Sequence, residues 1–158
     1  MGQLLYYFWV DGKPVTKGSW SAFRNSKTGR INFVGPKGLV TWQKAVHDKA
    51  SQTVGDDPLL DGALVIRAIF YLGRPKSAER EYPYGERDGD VDKYLRAILD
   101  ALTGVMYKDD AQVIHARATK IWAASPKCPM TSSSKNLAAS PKTGVYVQVR
   151  RYHSHESL

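Results

Sequence analysis

The chain has little that could cross-link it or anchor it in a bilayer. One cysteine, Cys128, stands among 158 residues, so no intrachain disulfide can form and nothing indicates an oxidising compartment. No run approaches the roughly 20 apolar residues needed to span a membrane, which argues against a membrane partner. The opening MGQLLYYFWV is apolar, yet it lacks a basic leader and a small-residue cleavage site and runs into a turn at Asp11-Gly12. It reads as a buried first strand, and the protein as cytoplasmic. Four histidines, His47, His115, His153 and His155, show no spacing with cysteine or carboxylate that would hold a transition metal. Acidic residues are also scarce, 15 against 23 Lys and Arg, and the net charge of +8 points to a polyanionic partner.

What is present suffices for one core. With 42% apolar residues, the length suits one domain better than two. Leu39, Trp42, Val46 and Ala50 recur at helical spacing, with Gln43, Lys44 and His47 elsewhere on the surface. The run from Leu64 to Leu72 is apolar on both faces, which predicts a central strand covered on each side. Val145, Val147 and Val149 alternate with Tyr146, Gln148 and Arg150, which reads as a strand. The expected architecture is a single compact domain of the α/β (α+β) class, a mixed sheet with helices packed on it.

The most informative stretch is DGDVDKYLRAILDALTGVMYKDDAQVIHARATK, residues 88–120. Leu95, Ile98, Leu99 and Leu102 form a helical stripe, with Asp92, Lys93, Arg96 and Asp100 on the other side. Asp90 is placed as an N-cap and Thr103-Gly104 as a stop. From Val113 the period changes to two, Ile114, Ala116 and Ala118 alternating with His115, Arg117 and Thr119. Two acidic pairs, Asp90 with Asp92 and Asp109 with Asp110, therefore bracket one helix. They can meet only if the chain after Gly104 doubles back along it, and that meeting is expected here. Clustered carboxylates repel unless a cation neutralises them, and hard oxygen donors select Mg²⁺ or Mn²⁺. Metal-assisted phosphodiester hydrolysis follows. The plainer alternative stays open: Asp90 as a cap, Asp92 paired with Arg96, and Asp109-Asp110 as a turn.

The same run, from D-V-D-K-Y-L-R-A-I-L-D-A-L-T-G through Y-K-D-D-A-Q-V, resembles the signature of the RusA family of Holliday junction resolvases. The segments G-K-P-V-T-K-G-S-W at Gly12 to Trp20 and F-Y-L-G-R-P-K at Phe70 to Lys76 are similar to that family as well. The resemblance implies a RusA-like fold over residues 1–158. It also implies a homodimer that cuts four-way DNA junctions with Mg²⁺, in a bacterial or phage-infected cell. It places the metal-binding carboxylates on Asp90, Asp92 and Asp110. The family's catalytic lysine falls on Arg96, which keeps the charge but does not readily give up a proton. Lys93 is a candidate substitute, and Lys120 matches a further family lysine that could point at the acidic site. Two other functions remain open: a broader nuclease acting on flaps or forks, and a non-catalytic DNA-binding module.

The residues expected to grip DNA phosphates are Lys13, Lys17, Arg24, Lys27, Arg30, Arg74 and Lys76. In the basic stretch from Lys13 to Gly38, a hairpin or a loop, Trp20, Phe23 and Phe33 are interleaved so that an aromatic could stack on an unpaired base. Residues 76–89 are charged and carry Pro83 and two glycines, which reads as a mobile loop leading into the site. The stretch 123–143 is rich in Ser, Pro, Lys and Ala and reads as a flexible excursion between two strands.

Overall fold

A computed structural model of the protein describes residues 4–18, 21–123 and 142–153. Trp20, Cys128, His155 and nearly all of the expected 123–143 excursion lie outside the described residues.

Among the described residues the strands and α-helices follow one another as β1 (Leu4–Asp11), β2 (Ser21–Arg24), β3 (Ile31–Val34), α1 (Leu39–Val54), β4 (Leu64–Leu72), α2 (Val91–Leu102), β5 (Val113–Trp122) and β6 (Gly144–Arg151). The main sheet has the order β1-β6-β4-β5, and β2 with β3 forms a separate two-stranded ribbon. β4 pairs parallel with β5 and antiparallel with β6, so the sheet is mixed, as expected. The parallel pair is possible because α2 provides the long crossover that such strands need.

β4 lies inside the sheet, and seven of its nine residues are buried. Leu64, Ile66, Ala68 and Phe70 of β4 and Val145, Val147 and Val149 of β6 pack on Leu39, Trp42, Val46 and Ala50 of α1 and on Ala97, Ile98 and Leu102 of α2. Burying each Val, Leu, Ile or Phe side chain among them contributes roughly 1.5–3 kcal/mol. A smaller cluster of Ile69, Tyr71, Ile121 and Tyr146 occupies the other face. That second cluster explains why Ile69 and Tyr71, on the other face of β4, are apolar too.

Two expectations need correction. β1 is an edge strand with only Phe8 and Val10 fully buried, rather than a buried strand throughout. Ile114, predicted on the inward face of β5, is 57% exposed, because it opens the other edge strand of the sheet. Ile121 and Trp122, at the far end of that strand, are buried.

Candidate active site

The start of α2 is held by several independent contacts. The Tyr94 ring packs against Phe70 at 5.2 Å, and its hydroxyl donates to the Asp88 carbonyl at 3.1 Å. Lys120 of β5 donates to the Gly89 carbonyl at 2.5 Å. Asp88 itself is buried and receives Arg80 Nε at 3.0 Å, Arg80 Nη2 at 2.7 Å and the Gly85 N–H at 2.7 Å. The Arg80 guanidinium also lies 5.4 Å from the Trp122 ring centre, and the Trp122 indole N–H donates to the Arg80 carbonyl. Arg74 donates to the carbonyls of Ala78, Glu79 and Arg80. Residues 76–89, expected to be mobile, are thus a strapped loop, with Ala78, Pro83 and Asp88 buried beneath it.

Two carboxylates project from this fixed end. Asp90 is the N-cap of α2, but its side chain makes no capping bond and instead pairs with Lys93 at 2.6 Å. That hydrogen bond, then the charges of Lys93 and Lys120, lowers the Asp90 pKa below its ordinary value. Lys93 is raised in turn by the bond to Asp90, by the Asp90 charge and by nearby Asp92. Burial opposes ionisation of Asp88, yet the bonds from Arg80 and Gly85 and the charges of Arg80 and Lys120 bring its pKa below the ordinary value. Asp92 and Arg96 are exposed and form no ion pair with each other.

Asp110 is placed elsewhere. Gly104 N–H donates to the Tyr107 carbonyl and Thr103 bridges Tyr107, so the chain reverses within a few residues of the α2 C-terminus. The Tyr107 hydroxyl donates to the Leu99 carbonyl at 2.9 Å. Burial, then the charges of Asp110 and Asp100, pushes the Tyr107 phenol up. Gln112 holds the turn by donating to the carbonyls of Leu60 and Gly62, and β5 starts there, beside the beginning of β4. β5 therefore runs antiparallel to α2, and a helix of 12 residues separates the two acidic pairs by about 18 Å. The expected return of Asp110 to Asp90 is not made within one chain, and among the described residues no three His, Cys, Asp or Glu gather as a metal cage. Asp90 and Asp92 alone still suit a hard cation, since Mg²⁺ commonly takes one or two protein carboxylates and keeps waters.

A family model described as Endodeoxyribonuclease RusA matches residues 11–131. The chain belongs to the RusA family. It is also 27% identical over 131 residues to the uncharacterized protein YqaN of Bacillus subtilis (strain 168), covering 76% of this chain and 89% of that one. RusA proteins are endodeoxyribonucleases that act on Holliday junctions, and the matched stretch contains every candidate residue named above.

Within this RusA domain the basic candidates divide into three groups. Lys13 and Lys76 are exposed, and Arg24, Lys27 and Arg30 are exposed on the β2–β3 ribbon. Lys17 is engaged internally: its ammonium pairs with Asp100 and its N–H donates to the Lys93 carbonyl at 2.9 Å. Arg74 is occupied in holding the loop. Sequence reasoning missed the Arg80–Asp88 pair; the only hint was a third aspartate two residues before Asp90, with an arginine within reach upstream. Neither the cleft of about 520 Å³ along β1 and α1 nor that of about 400 Å³ beside Lys17 and Asp100 contains Asp90 or Asp92. Asp90, Val91 and Asp92, at the acidic end of α2, are all exposed.

Proposed function

We propose that the protein is a divalent-metal-dependent endodeoxyribonuclease that resolves four-way junctions by paired symmetric nicks during DNA recombination and repair. The RusA membership carries this reading, and the two carboxylates held at the α2 N-terminus give it chemistry. Asp90 and Asp92 would hold Mg²⁺ or Mn²⁺. When bound, such an ion polarises a phosphoryl oxygen and lowers the pKa of a coordinated water.

The chain's own residues do the rest. The hydrogen bond and charge of Lys93 lower the Asp90 pKa further below its ordinary value, and the bond orients the carboxylate at the start of α2. Arg96, one turn beyond Asp92 and exposed, offers its guanidinium fork to phosphate oxygens and stabilises charge developing there. It supplies charge and not a proton. Lys120 holds the Gly89 carbonyl and thereby positions Asp90. The basic surface draws in the DNA backbone, so binding weakens steeply with salt.

Symmetric cutting needs two sites, which a two-fold homodimer supplies. The antiparallel arrangement of α2 and β5 gives that dimer a second use. β5 is an edge strand. If two copies met along it about a two-fold axis, Asp110 of one would approach Asp90 and Asp92 of the other.

The test compares an end-labelled synthetic four-way junction with a matched linear duplex, with Mg²⁺ or chelator, for the native chain and Asp92→Asn. Paired nicks on the junction that need Mg²⁺ and fall by at least a hundredfold in Asp92→Asn are expected. Undiminished cutting by the variant would remove the metal-site assignment, and tight binding without cleavage under any metal would leave only a binding module.

A further inference from the structure

The β2–β3 ribbon is unusual for what it leaves uncovered. Every residue from Ser21 to Val34 is exposed, including Phe23 at 58%, Ile31 at 62%, Phe33 at 66% and Val34 at 54%. Neither strand joins the main sheet. An isolated two-stranded ribbon is marginal in water, and exposed aromatic side chains on such an element favour a partner.

The register distributes those side chains over both faces. Arg24 pairs with Ile31 and Ala22 with Phe33, while Phe23 pairs with Asn32 and Ser21 with Val34. Directly paired residues share a face, so Phe33 lies on one side of the ribbon and Phe23 on the other. The result is a thin blade with one aromatic ring on each flank.

Its tip is preorganised and cationic. Asn25 Oδ1 accepts from the N–H groups of Lys27 at 2.9 Å and Thr28 at 3.1 Å, its carbonyl accepts from Gly29, and its N–H donates to the Arg30 carbonyl. Arg24, Lys27 and Arg30 flank this turn. No acidic residue occurs between Asp11 and Asp48, across a stretch holding seven Lys and Arg. A second copy of a chain carrying +8 is a poor match for such a tip, whereas a polyanion is a good one.

The described residues that precede the blade, Thr16 and Lys17, touch the candidate active site. The Lys17 N–H donates to the Lys93 carbonyl, Thr16 closes on Gly89, and the Lys17 ammonium pairs with Asp100. The segment that leads into β2 is therefore fastened along α2, starting beside Asp90.

We propose that the β2–β3 ribbon is a wedge that enters the branch point of DNA, with Phe23 and Phe33 stacking on bases at its two faces and Arg24, Lys27 and Arg30 engaging the flanking phosphates. Stacking suits this role because every base presents a π-face, so the wedge recognises the opening rather than a sequence. It also places the branch next to the carboxylates that would cut near it. The inference rests on the branched-DNA reading above and names the element that recognises the branch.

The experiment uses the full chain in chelator, with a four-way junction carrying 2-aminopurine at the branch and a linear duplex carrying it at the same sequence position. Binding should raise 2-aminopurine emission severalfold on the junction and leave it unchanged on the duplex. Phe23→Ala and Phe33→Ala should each remove most of that rise and reduce junction affinity about tenfold, and Phe33→Trp should restore it. The triple change Arg24→Gln, Lys27→Gln, Arg30→Gln should flatten the salt dependence of junction binding. Junction binding with unaltered emission would overturn the wedge while leaving the nuclease reading intact. Phenylalanine variants that turn a dimer into a monomer in sedimentation, with the branch signal retained, would assign the ribbon to a contact between copies. A native chain with no preference for the junction over the duplex would overturn both readings.

Discussion

At Gly89 the backbone takes a φ of 75°, and a Cβ there would lie 2.9 Å from Thr16 Cγ2 and from the Tyr94 ring and hydroxyl. Both the left-handed conformation and the close approach exclude other residues. The same glycine offers its carbonyl to Lys120, so a displacement here moves Asp90 and Asp92 together. Gly89→Ala is expected to cost about 1–3 kcal/mol of stability, read from urea denaturation, and to lower junction cleavage more than junction binding. By contrast, Gly29→Ala meets no neighbour within 4 Å at its Cβ, and its cost should be confined to its φ of 70°.

At the scale of elements, the strapped loop before α2 depends on the Arg80–Asp88 pair. Asp88 is buried and Arg80 only partly exposed, so removing the arginine leaves a carboxylate with reduced compensation. Arg80→Ala should destabilise the fold by about 1.5–3 kcal/mol, the range for hydrogen bonds to charged groups. The depressed Asp88 pKa also fixes a pH dependence. A carboxyl lowered in the folded state stabilises fully above its unfolded pKa, about 3.9, and loses that contribution as pH falls through the folded value. Urea midpoints of the native chain should therefore drop between about pH 4 and lower pH, and Asp88→Asn should flatten that part of the profile. An identical acid limb in the variant would assign the drop to other groups. α2 itself was legible in sequence, because its 3.6-residue stripe and its Thr103-Gly104 stop are local signals, and it ends at Leu102 as expected. The strapping of residues 76–89 was not, because charged residues and glycines read as solvated until a partner eight residues away is brought opposite.

For the whole molecule, the decisive feature is that α2 and β5 are antiparallel, which sets Asp110 a helix length from Asp90 and Asp92. If the active dimer joins them across its two-fold axis, Asp92→Asn and Asp110→Asn homodimers should each be inactive alone. Mixing them with subunit exchange should then restore nicking of one strand per junction, visible as single nicks on an end-labelled four-way substrate. Continued inactivity of the mixture, with exchange verified by tagged subunits, would confine all three carboxylates to one chain.

Local patterning along the chain was enough for the elements and the family: apolar periodicities set α1, α2, β4 and β6, and the ordered run around Asp90 set the RusA resemblance, since both are written in near neighbours. Long-range packing alone set β5 leaving from the far end of α2, Lys17 and Arg74 engaged in bonds within the chain, and Phe23 and Phe33 uncovered on opposite faces of a ribbon. These are relations between residues distant in the chain. They follow from how far a tight turn lets the backbone travel and from which cross-strand register closes, and spacing along a sequence does not encode either.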